Sequence, residues 1–180
     1  MPGTSYVILC EDEAQATFAR RFLIGRGANR HKFHVQRARP GEGSGEQYVR
    51  ENAGKYVRGF RSKSRGGQAL IIMIDADRYS VDERLEHICK SIDDAGVVEV
   101  SEKARIGIFI PRRNIETWIA YIAEPSRTDI NEIDDYRYPV PKQWEKTVET
   151  YARERKPLPA SAPPSLRRAC DEWPKIAPRT

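Results

Sequence analysis

No stretch of the chain is apolar for long enough to span a bilayer, and the N-terminus has no basic region followed by an apolar signal stretch. A membrane protein is therefore not expected, and the expected setting is cytoplasmic. Cysteine is scarce: Cys10, Cys89 and Cys170 are far apart and odd in number. They make neither a disulfide framework nor a zinc-ligand spacing. Cys10 lies in an apolar stretch and reads as a small core residue. There is no internal repeat. The glycine-rich segment Pro40-Gly-Glu-Gly-Ser-Gly45 lacks the Gly-Lys-Ser/Thr ending of a P-loop and does not fit Gly-x-Gly-x-x-Gly. It reads as a turn, or as a mobile edge of an active site, and not as a nucleotide cradle.

What is present describes a globular α/β protein. The 180 residues suit one domain with a tail, and 39% hydrophobic with 32% charged residues gives a real core under a highly charged surface. The net charge of +5 is uneven, with arginine concentrated at Arg20-Arg21, Arg37-Ala-Arg39, Arg58 to Arg65, Arg112-Arg113 and Arg167-Arg168. Arginine forks match phosphate oxygens, so a basic surface around an acidic pocket would suit nucleic acid. Arginine-rich surfaces also occur in proteins encoded by GC-rich genomes, so charge alone supports that partner only weakly.

The run Ala69-Leu-Ile-Ile-Met-Ile, bounded by Gly66-Gly67 and followed by Asp75-Ala-Asp77-Arg78, reads as a buried central strand. Ligands gather at the carboxyl ends of strands in open α/β sheets, and the two aspartates sit at such an end. For an isolated Asp-x-Asp, one helix cap and one solvated carboxylate is an equal reading. Ahead of it, Ser5 to Cys10 is an apolar strand ending in Glu11-Asp12-Glu13, and Glu13 to Gly25 is a helix with Asp12 as N-cap. Lys32 to Arg37 alternates like a strand nearer the sheet edge, Glu46 to Phe60 is helical, and Arg58 to Gly67 is a basic loop suited to phosphate contacts.

Ser80 and Glu83 form a capping box for a helix over Val81 to Ala95, closed by Gly96. Val97 to Val100 reads as an edge strand or an extended linker. Arg105 to Ile110 is a further buried strand, and Ile115 to Ile122 a helix that brings Glu116 near the strand end, with Trp118 packed in the core. From Pro125 proline rises sharply. A helix is expected over Pro141 to Arg155, an extended proline-rich linker over Lys156 to Ser165, and a short closing helix over Arg167 to Trp173.

The strand–helix alternation over residues 5 to 123 argues a parallel-dominated sheet with helices on both faces. Three strand ends, at Glu11, at Asp75 with Asp77, and at Pro111 to Glu116, then share one rim. Carboxylates gathered there repel one another unless a cation compensates them, and Mg²⁺ suits an oxygen-donor site.

Val7-Ile-Leu-Cys-Glu11 before a helix, with Ile-Asp75-Ala-Asp77-Arg78 after a hydrophobic strand, resembles the Toprim fold of topoisomerases, DnaG-type primases, ribonuclease maturases and OLD-family nucleases. The resemblance covers roughly residues 5 to 123. It implies a Toprim-like catalytic domain over 1–124, and the rise in proline makes 125–180 a helical, proline-rich C-terminal extension packing on it. Glu11 is followed by Asp12 where topoisomerases and primases usually carry Gly, and the chain has no module for strand passage or primer synthesis. Arg112-Arg113-Asn-Ile-Glu-Thr-Trp looks closer to small Toprim-like proteins of bacterial (phage) defence and OLD-type nucleases. The resemblance implies a metal-dependent nuclease acting on DNA or RNA. Asp75 and Asp77 would hold Mg²⁺ or Mn²⁺, Glu11 would bind metal and assist water activation, and Glu116 would complete a second metal site, with Glu13 a weaker candidate. Arg78, Arg112 or Arg113 would face phosphate. For Glu116 a solvated first-turn glutamate is nearly as good a reading, and for the arginines solvation or carboxylate pairing is the better one. Two other classes stay open. One is a non-catalytic Toprim-like subunit that binds nucleic acid or a separately encoded ATPase. The other is a receiver-like signalling domain with Asp75 phosphorylated, against which stands Ile110-Pro111-Arg112 where a receiver has its lysine.

Overall fold

The computed structural model describes residues 3–62, 67–97, 104–127, 129–133 and 137–177. Four strands, β1 (Ser5–Leu9), β2 (Phe33–Gln36), β3 (Gln68–Met73) and β4 (Ile106–Phe109), form an all-parallel sheet in the order β2-β1-β3-β4. Among the described residues six helices flank the sheet: α1 (Glu13–Gly25), α2 (Gly45–Ser62), α3 (Val81–Asp94), α4 (Ile115–Ala123), α5 (Trp144–Glu154) and α6 (Pro164–Ile176). The expected α/β class, central β3 and edge position of β2 are all observed. Val98, Glu99 and Val100 lie outside the described residues, as do residues 63–66 of the expected basic loop, whose first part, 58–62, is instead the last turn of α2.

Both faces of the sheet are covered, which is why β3 is apolar throughout. Ala69, Ile71 and Met73 turn one way, with Tyr6, Ile8 and Cys10, onto α1, α4, α5 and α6. Leu70, Ile72 and Ile74 turn the other way onto α2 and α3. Alternation of side chains along a strand makes two cores from one run. Burial pushes the Cys10 thiol up to about 12, so it stays protonated and inert in the core.

The C-terminal part packs on the sheet and its helices. Val148, Ala162, Leu166, Ala169 and Ile176 all enter the core on the α1 side. Helix α5 begins at Trp144, after Gln143 in the left-handed region (φ 61°), so it starts later than the expected Pro141. Helix α6 is longer at both ends than Arg167 to Trp173. Pro164 suits a first helical turn, where a missing N–H costs nothing, and the Glu132 carboxylate accepts the Ser165 N–H at 3.0 Å and the Ser165 hydroxyl. At the far end, buried Arg105 donates to Thr4 Oγ1 (3.1 Å) and to the carbonyls of Ile176 (3.0 Å) and Ala177, tying α6 to the foot of the sheet. No helix among the described residues is long and apolar enough to cross a membrane.

Helices α2 and α3 touch at Gly54, where a Cβ would stand 2.0 Å from the Ser91 carbonyl oxygen and 2.7 Å from Ala95 Cβ. The Gly54 N–H donates to Ser91 Oγ at 3.2 Å. Gly54→Ala should therefore force the two helices apart despite its better helix propensity, at a cost of about 2 kcal/mol. Urea unfolding of the variant would show it, and a neutral or stabilising result would mean that the helices have room to part.

Candidate active site

The carboxyl ends of β1, β3 and β4 meet as expected. The Asp75 N–H donates to Glu11 Oε1 at 2.5 Å, the Ala76 N–H donates to the Pro111 carbonyl at 2.8 Å, and the Ile74 N–H to the Phe109 carbonyl at 3.2 Å. Glu11 is also oriented from below by buried Gln15. Its backbone N–H donates to Gln15 Oε1 (3.0 Å), and Gln15 Nε2 reaches back to Glu11 Oε1 (3.4 Å). Asp12 caps α1 through the Gln15 N–H at 2.9 Å. Gly45, at the start of α2, packs on this strand end so closely that a Cβ would lie 2.4 Å from the Glu11 carbonyl oxygen.

The electrostatics are unfavourable for ionised carboxyls. Burial pushes Glu11 up to about 7, against the opposing effect of the Asp75 N–H, and the Asp77 charge raises it further. Asp75 is pushed well above the usual carboxylate range, first by burial, then by the charges of Glu11, Asp77 and Asp12. Asp75 Oδ1 is buried without a hydrogen-bond partner. A buried polar atom left unpaired costs about 1–3 kcal/mol, so such an atom asks what it is kept for.

Asp77 has a different environment. It is exposed and left-handed (φ 53°), in the turn that leads to α3. Arg84, one turn into α3 and 2% exposed, places one guanidinium nitrogen 3.6 Å from Asp77 Oδ2 and the other on Glu46 in the first turn of α2. Its guanidinium lies 4.9 Å from the Tyr79 ring centre. Arg112 donates to the carbonyls of Asp77 (3.2 Å) and Tyr79 (2.5 Å). Arg113 donates to the Asp77 carbonyl (3.2 Å) and to that of Ile133. The two arginines therefore hold the shape of the turn, with guanidinium groups on backbone oxygens.

The remaining sequence candidates separate. Glu13 pairs at the surface with Arg37 (3.1 Å). Glu116 is half-buried in the first turn of α4, and the carboxylates acting most strongly on Asp75 are Glu11, Asp77 and Asp12. Arg78 is exposed on the rim, 5.1 Å from the Tyr79 ring centre. Sequence reasoning missed Gln15, Glu46 and Arg84. A signal existed for Arg84, which stands four and eight residues before Ile88 and Ile92 and so shares their inward stripe.

Asp77 and Arg84 open onto a furrow of about 1310 Å³ between α2 and α3, lined by seven lysine or arginine side chains and four carboxylates. Among the described residues no three His, Cys, Asp or Glu side chains stand ready-made as a cation cage; Glu11 Oε1 is engaged by the Asp75 N–H. The donor chemistry nevertheless suits a hard cation: carboxylate oxygens, one of them buried and unpaired, with Arg84 as the cation beside Asp77. No family model, curated protein or solved structure matches the chain.

Proposed function

We propose that this protein is a metal-dependent phosphodiester hydrolase, a nuclease of Toprim type acting on DNA or RNA in a defence or repair setting. The observation that carries this reading is the buried, unpaired Asp75 Oδ1 beside Glu11 and Asp77 at the carboxyl-terminal rim of the sheet. Asp75 and Asp77 are the residues to hold Mg²⁺ or Mn²⁺, with Glu11 beside them and Glu116 the candidate for a second ion. A bound divalent ion would polarise a phosphoryl oxygen and acidify water. Glu11, pushed up to about 7, is matched to taking up a proton near neutral pH. Arg78 is the exposed cation at the rim, available to phosphate where Arg112 and Arg113 hold the turn.

Plasmid, single-stranded DNA and total RNA should be offered with Mg²⁺, Mn²⁺ or EDTA. Metal-dependent cutting is expected, reduced about 100-fold or more in Asp75→Asn and in Glu11→Gln. Both substitutions keep side-chain shape, so folded variants can be compared directly. Tight nucleic-acid binding with no cutting on any substrate would favour the binding-subunit reading, which the basic furrow also serves.

A further inference from the structure

The furrow has an orientation. Glu46 meets Arg84 at one end, Gly54 meets Ser91 in the middle, and Arg58 donates to the Ala95 carbonyl (3.4 Å) at the other. Helices α2 and α3 therefore run side by side in the same direction, and from residue 46 to residue 58 the furrow extends about 18 Å at the helical rise. Its near end is Asp77, which belongs to the carboxylate cluster. Three of its seven cations are held internally and only partly exposed or buried: Arg84 on Glu46 and Asp77, Arg50 on Glu46, Arg113 on backbone carbonyls. Of the exposed ones Arg58 also reaches the Ala95 carbonyl and Arg78 the Tyr79 hydroxyl (3.1 Å). Lys55, Arg58, Arg78 and Lys90 remain exposed. Among the described residues Lys55 and Lys90 make no ion pair.

We propose that the α2–α3 furrow is the track along which the sugar–phosphate backbone of single-stranded nucleic acid reaches Asp77, with Arg78, Lys55, Arg58 and Lys90 as its phosphate contacts. The inference deepens the hydrolase reading and rests on it for the chemistry at the end of the track. Packed helices sit about 8–10 Å apart, so the channel along their outer side admits one strand and not the body of a duplex. At one phosphate per 3.4 Å of stacked strand, about 18 Å spans roughly five phosphates. Contacts from cations to the sugar–phosphate backbone make a sequence-tolerant track.

Binding should be measured in EDTA by fluorescence anisotropy, which separates the track from the chemistry. The probes are oligo-dT and oligo-U of about twelve nucleotides, a duplex of equal length, and two salt concentrations. The double variant Lys55→Glu, Lys90→Glu should bind either single strand about tenfold more weakly, with a smaller salt dependence. Lys142→Glu with Lys146→Glu, at the start of α5 and away from the furrow, should stay within about twofold of wild type by the same electrostatic reasoning. The dT and U arms show whether DNA or RNA is preferred. Equal weakening by both pairs, an unchanged furrow variant, or tighter binding of duplex than of single strand overturns the track. Strand binding at the furrow without cutting on any substrate sinks the hydrolase alone; cutting by a furrow variant that also binds like wild type sinks the track alone.

Discussion

Asp75→Asn, measured without divalent metal, should melt at a higher temperature than wild type at pH 8 while losing metal-dependent cutting. Asp75 and Glu11 hold their protons more tightly in the folded chain than in the unfolded one. For such groups stability is greatest below the unfolded pKa. It falls as pH rises, because the unfolded chain ionises freely and the folded chain does so only against burial and mutual repulsion. For Glu11 the loss runs from its ordinary 4.5 to about 7. Above that it amounts to about 3 kcal/mol at 1.36 kcal/mol per pKa unit, and Asp75 adds a loss in the same direction. Asp75→Asn removes one buried charge and relieves the other, and Glu11→Gln keeps an oxygen to accept the Asp75 N–H. Each should raise the melting temperature at pH 8 by roughly 6–12 °C for a chain of this size, and by much less at pH 4, where the wild-type carboxyls are already protonated. Mg²⁺ should stabilise the wild type and leave both variants where they were, since a ligand of the folded state stabilises only chains that bind it. Equal destabilisation by Asp75→Asn at both pH values would make Asp75 an ordinary structural acceptor. The combination of higher stability and lost activity is what separates a functional carboxylate pair from a structural one.

The parts of this fold legible in the sequence are those set by local pattern. The unbroken apolar run Ala69 to Ile74, the Ser80–Glu83 box and Gly96 each act within a few residues of themselves. The structure shows the box reciprocated, with Glu83 N–H to Ser80 Oγ at 3.1 Å and Ser80 N–H to Glu83 Oε2 at 2.7 Å, and Gly96 left-handed at φ 74°. The convergence of Glu11 on Asp75 was legible too, because parallel strands place their carboxyl ends on one rim. What was not legible depends on partners distant in the chain. Gly45 reads as the end of a turn and Gly54 as an ordinary helix residue until Glu11 and Ser91 are seen against them. Glu132 lies in a loop 33 residues from Ser165, which it caps. Arg112 and Arg113 offer the same guanidinium group to a phosphate and to a carbonyl, and only the folded turn shows that carbonyls are the groups beside them.

Arg84 carries the other large expected effect. An arginine that is 2% exposed has given up most of its hydration, and it recovers that cost from the carboxylates of Glu46 and Asp77 and from the Tyr79 face. The two carboxylates contribute unequally. Asp77 is 56% exposed and 3.6 Å away, whereas Glu46 is 26% exposed and in direct hydrogen-bonding contact. Glu46→Gln keeps an acceptor but removes the better counter-charge, stranding a buried cation. Breaking a buried pair from one side costs about 3–5 kcal/mol, and the partial exposure of Glu46 places this case near the lower end, at about 3 kcal/mol. Against a total stability of about 5–15 kcal/mol that is a large fraction. Adding Arg84→Met removes the stranded charge and should restore much of the loss, so that the double variant is more stable than Glu46→Gln alone. Denaturant unfolding of the two singles and the double closes the cycle, and a Glu46→Gln cost below about 1 kcal/mol would show that Asp77 and solvent suffice for Arg84. The same substitution has a consequence at the rim. Relieved of Glu46, Arg84 has Asp77 as its remaining carboxylate, and a carboxylate held by arginine competes with itself as a metal ligand. Glu46→Gln should then need more Mg²⁺ for half-maximal cutting, whereas a purely structural loss would lower the folded fraction and leave that midpoint in place.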